Sequence, residues 1–151
     1  MSNLKIGEAA PSFEAKNQAG ETVSLSKLKG KKVVLYFYPK DDTPGCTAEA
    51  CNLRDNYNDL KAKGYEVIGV SADKAEKHQK FIAKYDLPFQ LIADEDKKVI
   101  NAYNAWGPKK FMGKEYEGII RKTFVIDEEG KIENIIEKVK TKDHTAQILN
   151  A

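Results

Sequence analysis

Apolar positions along this chain fall into two kinds of run, and their order sets the architecture. Val33-Val34-Leu35-Tyr36-Phe37-Tyr38 is unbroken, β-branched and aromatic, and it stops at Pro39. That is the pattern of a parallel strand buried on both faces rather than one alternating at a surface. Residues 65–71 and 89–93 read as two further strands. Helical spacing predicts helices from residue 46 to about 63, over 73–85 and over 95–103. Residues 121–127 form another strand-like run that ends in the turn Asp127-Glu128-Glu129-Gly130, so 131–137 is expected to pair with it antiparallel, followed by a short helix over 141–149. Strand and helix alternate first and a hairpin comes last. The order predicts an α/β fold with a mixed central sheet and helices on both faces, compatible with a thioredoxin-like sandwich.

Composition narrows the reading. At 151 residues with 41% apolar content and no internal repeat, residues 1–151 are expected to form a single domain with a real core. The opening Met1-Ser2-Asn3-Leu4-Lys5-Ile6-Gly7-Glu8 has no apolar stretch of secretion-signal length, and no segment approaches membrane-spanning length, so the expectation is a cytoplasmic protein with no membrane partner. A net charge of +2, spread over interleaved lysines and carboxylates, gives no reason to invoke nucleic acid. The lysines at 27, 29, 31 and 32 read as a solvated turn.

Both cysteines lie just after the first strand, in Pro39-Lys40-Asp41-Asp42-Thr43-Pro44-Gly45-Cys46-Thr47-Ala48-Glu49-Ala50-Cys51. The turn residues from Asp41 to Gly45 put Cys46 in the first turn of a helix, where unpaired amides and the positive end of the dipole favour a thiolate. An ordinary cysteine with a pKa of about 8.5 is about 3% ionised at pH 7, whereas a drop of two units makes roughly three-quarters of it nucleophilic. Loops at the carboxyl ends of strands in open α/β sheets are also where sites lie. Cys51 sits five residues on, which in an ideal helix puts the two Cα atoms about 8.7 Å apart, beyond the roughly 6.8 Å limit for a disulfide. A Cys46–Cys51 bond therefore requires the helix to unwind.

Other readings of these residues stand beside that one. Free cysteines are commonly small buried core residues. Neither a metal nor another cofactor is expected: two cysteines at the wrong spacing for zinc are accompanied only by His78 and His144, which lie far away in lysine-rich segments and read as solvated. The spacing is not the Cys-x-x-Cys of disulfide oxidoreductases either. In a reducing compartment, a cysteine pair argues for a transient, functional disulfide over a structural staple.

Only two of the 25 basic residues are arginines, Arg54 and Arg121. Arg121 opens the strand-like run with its side chain on the face of Thr123 and Val125. A half-buried guanidinium there suits an anionic partner, or alternatively a surface pairing with a glutamate. Arg54, followed by Asp55, reads as an ion-pair residue.

Taken together, Pro39, Thr43 and Cys46 in the pattern Pro-x-x-x-Thr-x-x-Cys, Cys51 five residues later, and Arg121 in Arg-x-Thr-Phe-Val-Ile-Asp resemble the peroxiredoxins, most closely the bacterioferritin comigratory protein or peroxiredoxin Q type. The resemblance extends through Gly7-Glu8-Ala9-Ala10-Pro11-Ser12-Phe13, Gly69-Val70-Ser71 and Tyr103-Asn104-Ala105-Trp106-Gly107-Pro108-Lys109-Lys110, with Pro108 and Leu53 departing from the pattern. It implies a thioredoxin-like fold and reduction of hydrogen peroxide and organic hydroperoxides without metal or haem. Cys46 would be the peroxidatic thiolate and Cys51 the resolving thiol that forms an intramolecular disulfide, reduced in turn by thioredoxin or a similar dithiol protein. Thr43 and the amides of Gly45 and Cys46 would donate to the peroxide, and Arg121 would bind it and support the thiolate. Pro39 would shape the loop, and Glu49 would organise the arginine or the helix start. An intrachain disulfide needs no second chain, so a monomer is expected. Two other classes stay open: a peroxide-responsive redox switch with no significant turnover, and an interaction domain without chemistry.

Overall fold

In the computed structural model, which describes residues 4–149, the chain enters through a small antiparallel hairpin of β1 (Glu14–Lys16) and β2 (Thr22–Ser24). A 3₁₀ turn at Leu25–Leu28 leads into β3 (Lys32–Phe37), followed by α1 (Pro44–Asp55), α2 (Tyr57–Ala62), β4 (Tyr65–Ser71), α3 (Ala75–Tyr85), β5 (Gln90–Ala93) and α4 (Lys98–Ala102). A second hairpin, β6 (Trp106–Phe111) and β7 (Lys114–Ile119), precedes β8 (Lys122–Ile126), β9 (Ile132–Ile136) and α5 (His144–Leu149). Five strands make the central sheet in the order β5-β4-β3-β8-β9, with β3 parallel to β4 and antiparallel to β8. The mixed sheet expected from the pattern is the one observed.

Alternation along β3 builds two cores. Val33, Leu35 and Phe37 pack with Phe13, Val23 and Leu25 of the entry segment and with Val99, Ile100 and Tyr103 at α4. Val34, Tyr36 and Tyr38 face the other way, into Ala50 and Leu53 of α1, Leu60 of α2, Phe81 of α3 and Ile148 of α5. Helices therefore cover both faces, and burying each such aliphatic or aromatic side chain contributes about 1.5–3 kcal/mol. At Gly69 the sheet needs a bare backbone: a Cβ there would stand 2.7 Å from Leu91 Cδ2 and 2.8 Å from Tyr36 Cζ. Among the described residues no helix is long and apolar enough to cross a membrane.

The structure corrects the sequence reading in three places. The helix expected over 46–63 breaks at Asn56, whose amide donates to the Asn52 carbonyl at 2.8 Å and stands between α1 and α2. An Asn side chain that bonds nearby backbone competes with helical hydrogen bonding. Both short hairpins were unassigned, because β1 reads Glu-Ala-Lys and β6 contains Gly107 and Pro108, residues that mask a strand pattern. His78 and His144, expected in solvent, are fully buried. Burial is tolerable because every ring nitrogen has a polar partner, Asp41 and the Ile92 carbonyl for His78, Gln147 and Thr123 for His144.

Candidate active site

The chain leaves the end of β3 and reaches α1 through a loop held from beneath by Asp41. Its Oδ1 accepts from the Tyr38 hydroxyl at 2.5 Å, its Oδ2 lies 2.6 Å from His78 Nδ1, and its amide donates to Asp73 Oδ2 at 2.8 Å. Because His78 Nε2 faces the Ile92 carbonyl at 2.9 Å, it must carry a proton there, so a proton also lies between Nδ1 and Asp41. Asp41, Asp73 and His78 place possible metal-ligating atoms within 4.8 Å of one another, but Asp41 Oδ2 is bonded to His78 and Asp73 Oδ2 accepts from the Ser71 hydroxyl and the Asp41 amide, which makes the cluster an anchor for the loop. Next to it Asp42 adopts a left-handed backbone at φ +59°, held by Lys84 Nζ at 2.8 Å and the Tyr85 hydroxyl at 2.7 Å. These two bonds keep the Asp42 carboxyl below its usual range.

Thr43 takes the N-cap position of α1 and Pro44 follows within the first turn, where a missing N–H is harmless. The Thr43 hydroxyl donates to the Lys40 carbonyl at 2.8 Å and does not cap the helix. The first turn of α1 is thus without a side-chain cap, and within it Cys46 is 2% exposed. Arg121, just before β8, reaches across to this point: Nη2 donates to Cys46 Sγ at 3.3 Å and Nη1 to Glu49 Oε1 at 2.7 Å. Gly45 makes room, since a Cβ there would lie 3.2 Å from Arg121 Nη2.

Glu49, one turn after Cys46, is buried completely, and burial pushes its carboxyl up to about 7 despite the opposing pull of Arg121. Burial also works against the charge of Arg121, but Cys46 and Glu49 outweigh it and hold the guanidinium above its ordinary value. Cys51 is half-buried on the same intact helix, and both thiols are free. Pro39 is half-buried in the loop. Arg54 pairs with Asp55 at 2.9 Å and donates to the Tyr85 carbonyl at 2.7 Å, the structural role its sequence context suggested.

Sequence reasoning overlooked three groups around the site. Thr123, two residues after Arg121, and His144 of α5 meet at 2.7 Å, and His144 Nε2 stands 3.4 Å from Glu49 Oε2. Thr123 lay in the quoted Arg-x-Thr run. His144 offered no local signal, because only the return of the last helix onto α1 brings it inward. Lys109 of β6 hooks its ammonium onto the Ile119 carbonyl at 2.8 Å, and burial, with Arg121 second, lowers its pKa.

A thiol seated on the first turn of the helix after β3 and met by an arginine from the start of the neighbouring β8, on a mixed sheet of thioredoxin-like layering, defines a class of thiol-based oxidoreductase. The AhpC/TSA family model matches residues 6–135, and the chain belongs to that family as a peroxiredoxin, a peroxidase. It is 51% identical over 146 residues to peroxiredoxin Bcp of Bacillus subtilis, covering 97% of this chain and 93% of that one. Identity to peroxiredoxin Bcp of Escherichia coli is 48% over 150 residues, 99% of this chain and 96% of the relative. A solved structure of the bacterioferritin comigratory protein of Xanthomonas campestris, described in terms of its alkyl peroxide reduction activity, superposes with a TM-score of 0.87 at 31% identity and covers 97% of this chain and 94% of that one.

Proposed function

We propose that the chain reduces hydrogen peroxide and alkyl hydroperoxides through Cys46 and restores itself through Cys51. The observation that carries this is the 3.3 Å bond from Arg121 Nη2 to Cys46 Sγ on an uncapped helix start. The Cys46 thiolate attacks one peroxide oxygen, the O–O bond breaks, and the electron pair leaves on hydroxide or alkoxide, which takes up a proton to become water or alcohol. Cys46 is then a sulfenic acid. Charge spreads over two oxygens in the transition state, and donors fixed toward it act most strongly there. Arg121 and the amides of Gly45 and Cys46 are those donors. Thr43, whose proton is committed to the Lys40 carbonyl, serves instead as acceptor for the hydroperoxide O–H. Pro39 shapes the loop and Glu49 orients Arg121.

The Cys51 thiol then displaces water from the sulfenic acid, which gives a Cys46–Cys51 disulfide after the first turns of α1 unwind. Thioredoxin or a similar dithiol protein reduces it by exchange, so the reading fits a reducing cytoplasm and a monomer. One equivalent of hydrogen peroxide added to the reduced protein, quenched by alkylation, tests the scheme by intact mass. Fast loss of both thiols with two hydrogens removed and no change in chain number is expected. Oxidation no faster than that of a free cysteine refutes it, and a single oxidation with no turnover under thioredoxin favours the redox switch.

A further inference from the structure

Beyond Glu49 the structure holds a buried histidine that the peroxide chemistry above does not use. His144, the first residue of α5, lies with Nδ1 2.9 Å from Gln147 Oε1. That oxygen also accepts from the Lys140 amide at 2.8 Å, while Gln147 Nε2 donates to the Lys138 carbonyl at 2.9 Å, so the orientation of the Gln147 amide is fixed from both sides. An amide oxygen only accepts, and His144 therefore carries a proton on Nδ1. Its Nε2 is left facing the Thr123 hydroxyl at 2.7 Å and Glu49 Oε2 at 3.4 Å.

The same carboxyl group gives Oε1 to Arg121, but Oε2 is buried with no hydrogen-bond partner among the described residues. An ionised Oε2 opposite an unprotonated imidazole nitrogen is a repulsive contact between lone pairs in a medium where a buried charge is expensive. One proton on either atom turns that contact into an attraction, and the Thr123 hydroxyl can donate or accept to suit. Building on the peroxidase reading, we propose that Glu49 and His144 hold one proton between them, and that the neutral pair leaves the charge of Arg121 undiminished for Cys46 and the peroxide. His144 is then a positioning residue that acts through Glu49.

The groups facing Glu49 are Arg121 ahead of β8, Cys46 on its own helix, His144 of α5 and Tyr36 of β3, whose buried hydroxyl has no hydrogen-bond partner among the described residues. Burial keeps the proton on Tyr36, with Glu49 adding to the effect, and burial holds His144 below its ordinary value, with Arg121 in the same sense. The shared proton thus rests on Glu49, whose carboxyl titrates at about 7. Above that, the Glu49 anion draws on the guanidinium charge and peroxide attack slows.

Isotope-edited infrared spectroscopy and ¹⁵N NMR of the reduced protein near pH 6 read the proton directly. The expected result is a carboxylic-acid carbonyl band, absent in Glu49→Gln, beside an Nδ1–H His144. An ionised Glu49 beside a doubly protonated His144 overturns the placement of the proton on Glu49 and with it the undiminished charge of Arg121. An ionised Glu49 beside a neutral His144 overturns the proposal. His144→Phe is expected to shift the acid band as its partner disappears, and an unmoved band overturns the pairing. In the kinetic arm, Cys46 oxidation by hydrogen peroxide is expected to fall about tenfold as Glu49 ionises, while alkylation by a neutral reagent shows no such fall. Persistence of the fall in Glu49→Gln overturns the link to Arg121. A protein that reacts with peroxide no faster than free cysteine refutes the peroxidase reading, and the spectroscopic arm still decides the proton.

Discussion

Asn52, the residue after Cys51, is tied to Thr145 of α5: its Oδ1 accepts from the Thr145 amide at 2.8 Å, and its carbonyl accepts from the Thr145 hydroxyl at 3.3 Å. Its Nδ2 completes the clamp on the Lys142 carbonyl at 3.0 Å. The Cys51 end of α1 is thus pinned to the last helix. Asn52→Ala removes the side-chain bonds and is expected to lower stability by about 1–2 kcal/mol in denaturant unfolding. In the proposed scheme only the second step, from sulfenic acid to disulfide, requires α1 to open, so Asn52→Ala is expected to change it more than the first reaction with peroxide. Quenched-flow mass analysis separates the two steps. Equal effects on both would show that the clamp has no part in opening.

Arg121 carries the next prediction. Removing one fixed donor from a developing oxyanion slows catalysis by roughly 10²–10³-fold. Arg121→Ala is expected to slow peroxide attack by that order and to slow alkylation of Cys46 by a neutral reagent much less, since alkylation develops no second oxyanion. Arg121→Lys should recover little, because an ammonium cannot reach Cys46 and Glu49 through two parallel donors. Comparable slowing of both reactions would confine the arginine to the ground state of the thiol.

How the site became legible from residues shows what sequence patterns can carry. The placement of Cys46, Thr43 and Arg121 was readable because it follows from a local context: a strand, a turn, a helix start, and a rare arginine at the mouth of another strand. The helix layers were readable because β3 is apolar on both faces, and both cores form around it. His78 and His144 were not. Each lies among exposed lysines in sequence, and each is drawn inside by partners remote in sequence, Asp41 at 2.6 Å and the Ile92 carbonyl at 2.9 Å for His78 and Thr123 at 2.7 Å for His144. Burial of a polar ring is decided by such partners, which composition and periodicity do not register. The Thr43 hydroxyl is a smaller instance, its proton taken by one backbone carbonyl three residues earlier.

The buried Asp41–His78 pair gives a stability prediction. Removing one partner leaves the other group desolvated and unpaired, which is expected to cost about 3–5 kcal/mol. His78→Leu should therefore unfold at markedly lower denaturant, and because Asp41 sits in the loop that leads to α1, peroxide attack should slow as well. Asp41→Asn, which keeps the shape and an acceptor for the Tyr38 hydroxyl, should be milder. Equal stability of His78→Leu and the unmodified protein in urea would remove the anchor role.

Glu49 predicts how stability depends on pH, and the sign can be worked out. Its carboxyl has an ordinary value of 4.5 and a folded value of about 7, raised chiefly by burial against the pull of Arg121. Between those values the folded protein binds the proton and the unfolded chain does not, so unfolding free energy falls as pH rises. The contribution is fully present below pH 4.5 and lost as pH passes about 7, a change on the order of 3 kcal/mol. Glu49→Gln cannot ionise and lacks this slope. His144 pulls in the opposite sense, because burial lowers its value and its contribution is lost as pH falls, and making both proteins in the His144→Phe background removes it from their difference. Urea unfolding of the pair at several pH values is expected to show the advantage of the protein that keeps Glu49 over Glu49→Gln shrinking steadily from pH 4.5 to 7. A difference that does not change with pH would mean that Glu49 is ionised throughout, with Arg121 sufficient to hold its charge.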